Sequence, residues 1–302
     1  MRRHSTSFIG HIWIGRALNP ELLPITCLWS QAIVKITDLY FCYKKAARPV
    51  FQGLNLEIKA GERVAILGPS EAGKSTLALC LQGLIPRMIK GDFRGRVEVD
   101  GCLTATCRPR QLAGRVGILL QDFEAQIFST RVDQEVAFGP ENLGLPREEL
   151  RQRVGECLDL MGLAGLDDRD PATLSGGQKQ LLALAAVLAL AHRVIILDEP
   201  TTGLDHREQQ DLLDLVRELH AQGHTVIMVT HSMWAAATYA RRLVVLFNGR
   251  VLLDDPAREV LADEALLARA RLAPPAVVQL SRALGFTALT PAEFRDRVGG
   301  RA

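Results

Sequence analysis

The sequence of 302 residues predicts an α/β fold, a mostly parallel sheet covered by helices on both faces, and three observations carry the prediction. Between residues 177 and 247 short apolar runs alternate with stretches of helical spacing. RVAIL at 63–67 leads into LGPSEAGKST at 67–76, and TLALCLQGL then continues with helical spacing, so a glycine-containing loop sits between a strand and a helix N-terminus. VIILDEP at 194–200 ends a buried run in two acids, at the carboxyl end of a strand, where ligands bind in open α/β sheets.

Taken in order, the elements begin after an unpromising start. MRRHSTSFIGHIWIG has a basic opening and a short apolar part, but His11 interrupts it and no clear small-residue cleavage site follows. Residues 1–31 are therefore expected to form a poorly ordered N-terminal extension. Strands are expected at 33–43, 54–58, 63–67 and 96–99, punctuated by glycines, and at 116–120, where VGILL is another buried run. GLPREELRQRVGECLDLMGL carries apolar residues at 150, 154, 158 and 161, and Pro146 suits the start of that helix. Helix 177–191, strand 193–197, helix 206–222, strand 225–229, helix 233–240 and strand 242–247 complete the alternation. Beyond Asp255 no long strand is evident, and Ala, Leu and Arg dominate up to Pro274-Pro275, which predicts a small, mainly helical C-terminal appendage.

Composition narrows the class. A hydrophobic content of 48% can build a sizeable core, and a net charge of +2 without a basic block gives no support for nucleic acid as a partner. Six cysteines at 27, 42, 80, 102, 107 and 157 form no CxxC pair, so small buried hydrophobes in a reduced protein are expected. The longest apolar stretch, LLALAAVLALA at 181–191, is far short of the about 20 residues a bilayer needs. Any membrane role must be peripheral.

The motifs carry phosphate chemistry. Gly68, four residues, Gly73, Lys74 and Ser75 fit a loop whose glycines let backbone N–H groups turn inward around an anion. An acid at Asp198 can hold Mg²⁺ through water opposite Ser75, and Glu199 beside it can orient or deprotonate an attacking water; a solvated charge pair is the alternative. LSGGQKQ at 174–180 is a glycine-rich turn opening a helix, which offers amides and Ser175 to an anion or serves as an ordinary cap. Glu71 places a carboxylate inside the loop, and a charge about 5 Å from a phosphate would repel it by a few kcal/mol. Its side chain is expected to point away from the anion.

Together the phosphate loop, LSGGQKQ, VIILDEP and His231 in VTHS, in this order, resemble the nucleotide-binding subunit of an ATP-binding cassette (ABC) transporter over about residues 33–250. The resemblance implies a P-loop NTPase of the ABC type, with an antiparallel β subdomain and a helical signature subdomain at about 122–180 inside an ATP-binding domain at 32–250. Residues 251–302 would form the appendage. It implies ATP and Mg²⁺ as cofactors, with Gly68, Pro69, Ser70, Glu71, Ala72, Gly73, Lys74, Ser75 and Thr76 around the phosphates. Ser75, Gln121 and Asp198 would hold the metal, and Glu199, His231 and Gln121 would serve catalysis, His231 at the γ-phosphate. Tyr43 matches the aromatic that stacks on adenine, with core packing as the other reading. Ser175, Gly176, Gly177, Gln178 and Asp205 would act on the site of a second subunit, the same chain or a paralogue, in a head-to-tail dimer.

A narrower similarity, to the energy-coupling-factor group that imports vitamins or cobalt and nickel ions, rests on QDFEAQIFSTRVDQEVAFGPENLGLPREEL at 121–150 and GLIPRMIKGDFRGRVEVDG at 83–101. Phe123 departs from it, since proline is usual there. The group implies a membrane coupling protein and a substrate-binding membrane protein as partners, at the cytoplasmic face of the membrane. A soluble cassette ATPase uncoupled from transport is the rival reading, but the cassette duplication, long coiled coils or zinc-binding cysteines typical of such proteins are not visible.

Overall fold

The computed structural model describes residues 31–299, so the expected N-terminal extension lies outside the described residues apart from its last position. Two sheets are present. Strands β1 (Ala32–Tyr43), β2 (Phe51–Lys59), β4 (Gly91–Val99) and β5 (Cys102–Leu103) form an antiparallel sheet in the order β2-β1-β4-β5. Strands β3 (Arg63–Leu67), β6 (Val116–Leu119), β7 (Val194–Asp198), β8 (Thr225–Val229), β9 (Arg242–Phe247) and β10 (Arg250–Pro256) form the second, ordered β10-β9-β3-β8-β7-β6. All its neighbours are parallel except β10, which runs antiparallel to β9.

The two sheets differ in pattern for a physical reason. β7 and β8 are buried at every residue because helices or sheet cover both their faces, whereas β2 alternates buried and exposed residues as a one-sided strand does. Alternation in the central strand β3 divides the interior: Val64 and Ile66 join the core shared with the antiparallel sheet, while Ala65 and Leu67 join the core on the opposite face.

Helices supply the rest. α1 (Lys74–Leu81) follows the loop after β3, the short α2 (Leu84–Arg87) follows it, and α3 (Pro109–Ala113) precedes β6. The helical subdomain comprises α4 (Val132–Leu143), α5 (Arg147–Leu160) and α6 (Gly176–Leu188). α7 (His206–Ala221) and α8 (Met233–Tyr239) connect β7, β8 and β9. After β10 come α9 (Ala257–Ala262), α10 (Glu264–Arg269), α11 (Ala276–Ala283) and α12 (Pro291–Gly299). Val260, Leu261, Leu267 and Val278 of this tail belong to the same buried cluster as the central strands, so the tail completes the core.

Several elements depart from the sequence expectation. α4 lies within the helical subdomain expected at about 122–180 but is not one of the helices expected individually; Pro140 sits inside it, and a Cβ on Gly139 would come within 2.8 Å of Leu190, so the glycine serves close packing. β10, Arg250–Pro256, is a strand that the sequence hides behind Asp254, Asp255 and Pro256. Arg242 holds Asp254 through two bonds of 2.6 and 2.8 Å and Glu62 at 2.7 Å, and Pro256 ends an edge strand, where a missing N–H is tolerated. β4 begins five residues before the expected start at 96, since its outer half, GDFRG, is largely exposed and polar. The helix expected to reach 191 stops at Leu188, and Ala191 turns back at φ 50° to feed β7.

Candidate functional site

The loop between β3 and α1 lies wedged against two other strands. A Cβ on Gly68 would stand 2.5 Å from the Leu246 carbonyl oxygen of β9, and one on Gly73, at φ 96°, would meet Val50 and Phe51 at 2.7 and 2.8 Å. Only glycine fits at either point. α1 begins with no side-chain cap and no acid in its first turn, which leaves its N-terminal amides free to receive an anion. Lys74 is buried in this loop and its ammonium donates to the carbonyl oxygens of Gly68 at 2.9 Å and Pro69 at 3.0 Å. Burial lowers its pKa, while Glu199 and Asp198 hold it up. Glu71 is exposed and has a left-handed backbone, φ 66°.

Asp198 ends β7 and is 3% exposed. Burial raises its pKa; the hydrogen bond from Ser75 opposes that rise, Glu199 adds to it and Lys74 opposes it. Its Oδ1 has no protein partner among the described residues. A buried carboxylate oxygen left unpartnered beside a serine hydroxyl suits a hard divalent cation, which satisfies oxygen donors of this kind. Ser75 and Asp198 therefore fit Mg²⁺.

Glu199 is 7% exposed and has φ 51°, a backbone conformation that costs a non-glycine residue free energy. Its amide donates to Val229 O at 2.8 Å, which fixes the bend against β8. Thr230 Oγ1 donates to Glu199 Oε2 at 3.0 Å, and His231 Nδ1 lies 2.6 Å from Oε1. The carboxylate is thus gripped on both oxygens, while the His231 side chain remains largely exposed. Lys74, Ser75, Asp198, Glu199, Thr230 and His231 form one polar cluster at the carboxyl ends of β3, β7 and β8, able to neutralise phosphate charge, hold a cation and steer a water. Thr230 was not singled out from sequence.

Other sequence candidates lie differently. Tyr43 is half-buried, its hydroxyl 3.0 Å from Thr76 Oγ1 and its ring edge-on to Phe41 at 4.8 Å. Gln121 is exposed and no hydrogen bond ties its side chain to Ser75 or Asp198 among the described residues. Gln126, five residues on, does the anchoring: its amide nitrogen donates to Ile118 O at 3.0 Å and its Oε1 accepts from Leu120 N at 2.7 Å. Ser175 caps α6 in a reciprocal box with Gln178, at 3.2 and 3.0 Å. Asp205 caps α7 in the same way with Glu208, at 2.8 and 2.9 Å. Ser175, Gly176 and Gln178 make no described bond to the Glu199 cluster. Gly177 instead faces Glu208, whose Oε1 lies 3.1 Å from where its Cβ would stand.

Comparison with known proteins agrees with this arrangement. Residues 51–202 match the family described as ABC transporter. The chain is 37% identical over 270 residues to the energy-coupling factor transporter ATP-binding protein EcfA of Methanocaldococcus jannaschii, covering 88% of this chain and 94% of that one. It is 42% identical over 246 residues to a putative ABC transporter ATP-binding protein of Caldanaerobacter subterraneus subsp. tengcongensis, covering 81% of this chain but only 43% of the relative. The chain therefore spans less than half the length of some curated relatives it matches. Among solved structures it superposes on cbiO1 of Clostridium perfringens, described as part of the ABC transporter complex cbiONQ, with TM-score 0.69 and 33% identity over 84% of this chain and 99% of that one. The P-loop fold, the motif order and these likenesses agree, and the chain belongs to the ABC transporter ATP-binding family, with energy-coupling-factor ATP-binding proteins among its relatives.

Proposed function

We propose that this chain is the ATP-hydrolysing subunit of an uptake system, powering import of a small micronutrient, a vitamin or a transition-metal ion, through separate membrane proteins. The observation that carries the hydrolytic part is the Glu199 carboxylate, gripped by Thr230 and His231 one residue from the unpartnered Asp198 oxygen. Backbone amides of the loop from Gly68 to Thr76, other than Pro69, bind the phosphates, and Lys74 gives up its carbonyl contacts to neutralise them. Ser75 and Asp198 would hold Mg²⁺, with Gln121 as a further ligand, and the ion would supply charge neutralisation on the phosphate oxygens. Glu199 orients and deprotonates the water that attacks the γ-phosphate in line, and His231 contacts that phosphate and steadies the carboxylate. Tyr43 stacks on adenine after releasing Thr76.

Ser175, Gly176, Gly177, Gln178 and Asp205 act on the nucleotide of a second subunit in this reading. What supports it is that the Ser175 turn lies at the protein surface and makes no described bond to its own chain's Glu199 cluster. A membrane coupling protein is the further partner. Phe128 and Phe138 stack edge to face at 4.6 Å, both exposed, on the helical subdomain, a surface suited to an apolar partner segment. No helix among the described residues is long and apolar enough to cross a membrane. In this reading the chain attaches peripherally, at the cytoplasmic face, through those membrane proteins. Micronutrient import rests on the similarity to the energy-coupling-factor relatives.

The test is isolation of the full chain from native membranes. Integral membrane proteins should copurify, and ATP turnover in that complex should fall when Lys74 is replaced by Ala. Recovery of the chain without any membrane protein, yet with undiminished turnover, would favour a soluble ATPase uncoupled from transport.

A further inference from the structure

Gln180 sits on α6 two residues past the capping box, is 3% exposed, and plays no part in the chemistry described above. Its amide nitrogen donates to the carbonyl oxygen of Pro200, the residue that follows Glu199. Its Oε1 is buried and has no partner among the described residues. Leaving a buried amide oxygen unsatisfied destabilises the fold, so an apolar residue of similar shape would pack at least as well if packing alone set the choice.

The segment that Gln180 grips is a strained one. Glu199 has φ 51°, its amide is tied to Val229 O at 2.8 Å, and Thr202 N donates to its carbonyl at 3.1 Å. Beyond it, Gln209 of α7 donates to Thr201 O at 3.1 Å and Leu204 O at 3.0 Å. The bend from Glu199 to Leu204 is therefore held from β8, from α7 and, through Gln180, from α6. The α6 contact is distinct, because α6 opens with the Ser175–Gln178 surface turn assigned above to the partner subunit's nucleotide.

We propose that Gln180 is a positioning residue for hydrolysis, which ties the start of α6 to the Glu199–Pro200 bend so that α6 and the Glu199 carboxylate move together. The inference rests on the proposed ATPase reading. When a triphosphate orders the Ser175 turn, the rigid first turns of α6 carry the displacement to Pro200 O through this hydrogen bond, and Glu199 is brought to bear on the water. A misplaced carboxylate lowers turnover much more than it lowers nucleotide binding.

The experiment measures ATP turnover, ATP affinity and thermal midpoint on the full chain for the parent, Gln180→Met, Gln180→Glu and Glu199→Gln. Gln180→Met keeps the shape and removes the donor; its kcat should fall by about tenfold or more while KM for ATP stays within about twofold and the midpoint is held. Gln180→Glu can donate to Pro200 O only when its carboxyl is protonated. Its turnover, divided by that of the parent at the same pH, should rise as pH falls from about 8 to about 6, because burial raises a carboxyl pKa into that range. A structural role alone would make the ratio follow the thermal midpoint, whereas positioning raises it at pH values where the variant is fully folded throughout. Parent-like turnover in Gln180→Met, a kcat loss matched by equal losses of affinity and thermal midpoint, a pH ratio that is flat or only follows the thermal midpoint, or failure of both variants to fold would overturn the proposal. If the parent itself does not hydrolyse ATP, or Glu199→Gln turns over like the parent, the underlying ATPase reading fails instead.

Discussion

The loop spacing leaves position 71 free, and electrostatics alone argue that a carboxylate should keep away from phosphate. Glu71 is exposed, and its backbone at φ 66° is a conformation that favours glycine. Both effects act in one direction. Glu71→Gly and Glu71→Gln should bind ATP at least as well as the parent, with any gain below about tenfold, about 1.4 kcal/mol, by equilibrium titration. Loss of binding in Glu71→Gln with the fold intact would place the carboxylate within the site. That Lys74, Asp198 and Glu199 lie together at strand ends of one sheet was readable, because each follows an unbroken apolar run. Gln126, Thr230 and Gln180 were not, since each acts through a bond across elements that a linear pattern does not contain.

At the scale of elements, the junction of α6, β6 and β7 carries a buried titratable group. His192 follows the left-handed Ala191, and its ring nitrogens lie 3.0 Å from Val187 O and 2.7 Å from Ala113 O. A Cβ on Gly117 of β6 would collide with that ring, so strand and histidine are fitted to each other. Burial pushes its pKa down to about 4, against the raising effect of the two carbonyls. The folded protein thus keeps the ring neutral where the unfolded chain, titrating near 6.5, takes up a proton. Its contribution is present above about pH 6.5 and is lost as pH falls towards about 4, by an amount on the order of 3 kcal/mol. His220 and His224 are lowered in the same direction, so the acid loss is shared. Urea midpoints of the parent and His192→Gln, compared from about pH 7.5 to 4.5, should converge as pH falls. Parallel curves would show that His192 titrates alike in both states. The α6 and β7 periodicities were readable to within a few residues, whereas the turn between them was not, because its conformation is set by the buried ring. The bounds of α4 and the presence of β10 are hidden for a related reason: Gly139-Pro140 and the acid pair at 254–255 disfavour helix and strand locally, and the packing of Leu190 and the pairing of Arg242 offset them.

For the whole molecule, the α/β class was legible because both sheet faces are covered and the strands read as unbroken apolar runs. The assembly is the larger matter. If the Ser175 turn serves the nucleotide of a second copy, mixing Lys74→Ala chains with Ser175→Arg chains should restore part of the activity, since some mixed dimers retain one intact composite site. No recovery, despite demonstrated subunit exchange, would count against the shared site.

The central claim, that Glu199 acts on the attacking water while the loop and Mg²⁺ hold the nucleotide, is tested most directly by Glu199→Gln. The amide keeps the size and loses the base, so ATP affinity should stay within about twofold of the parent while turnover falls by about a hundredfold or more. Parent-like hydrolysis in Glu199→Gln, with ATP bound, would contradict the account.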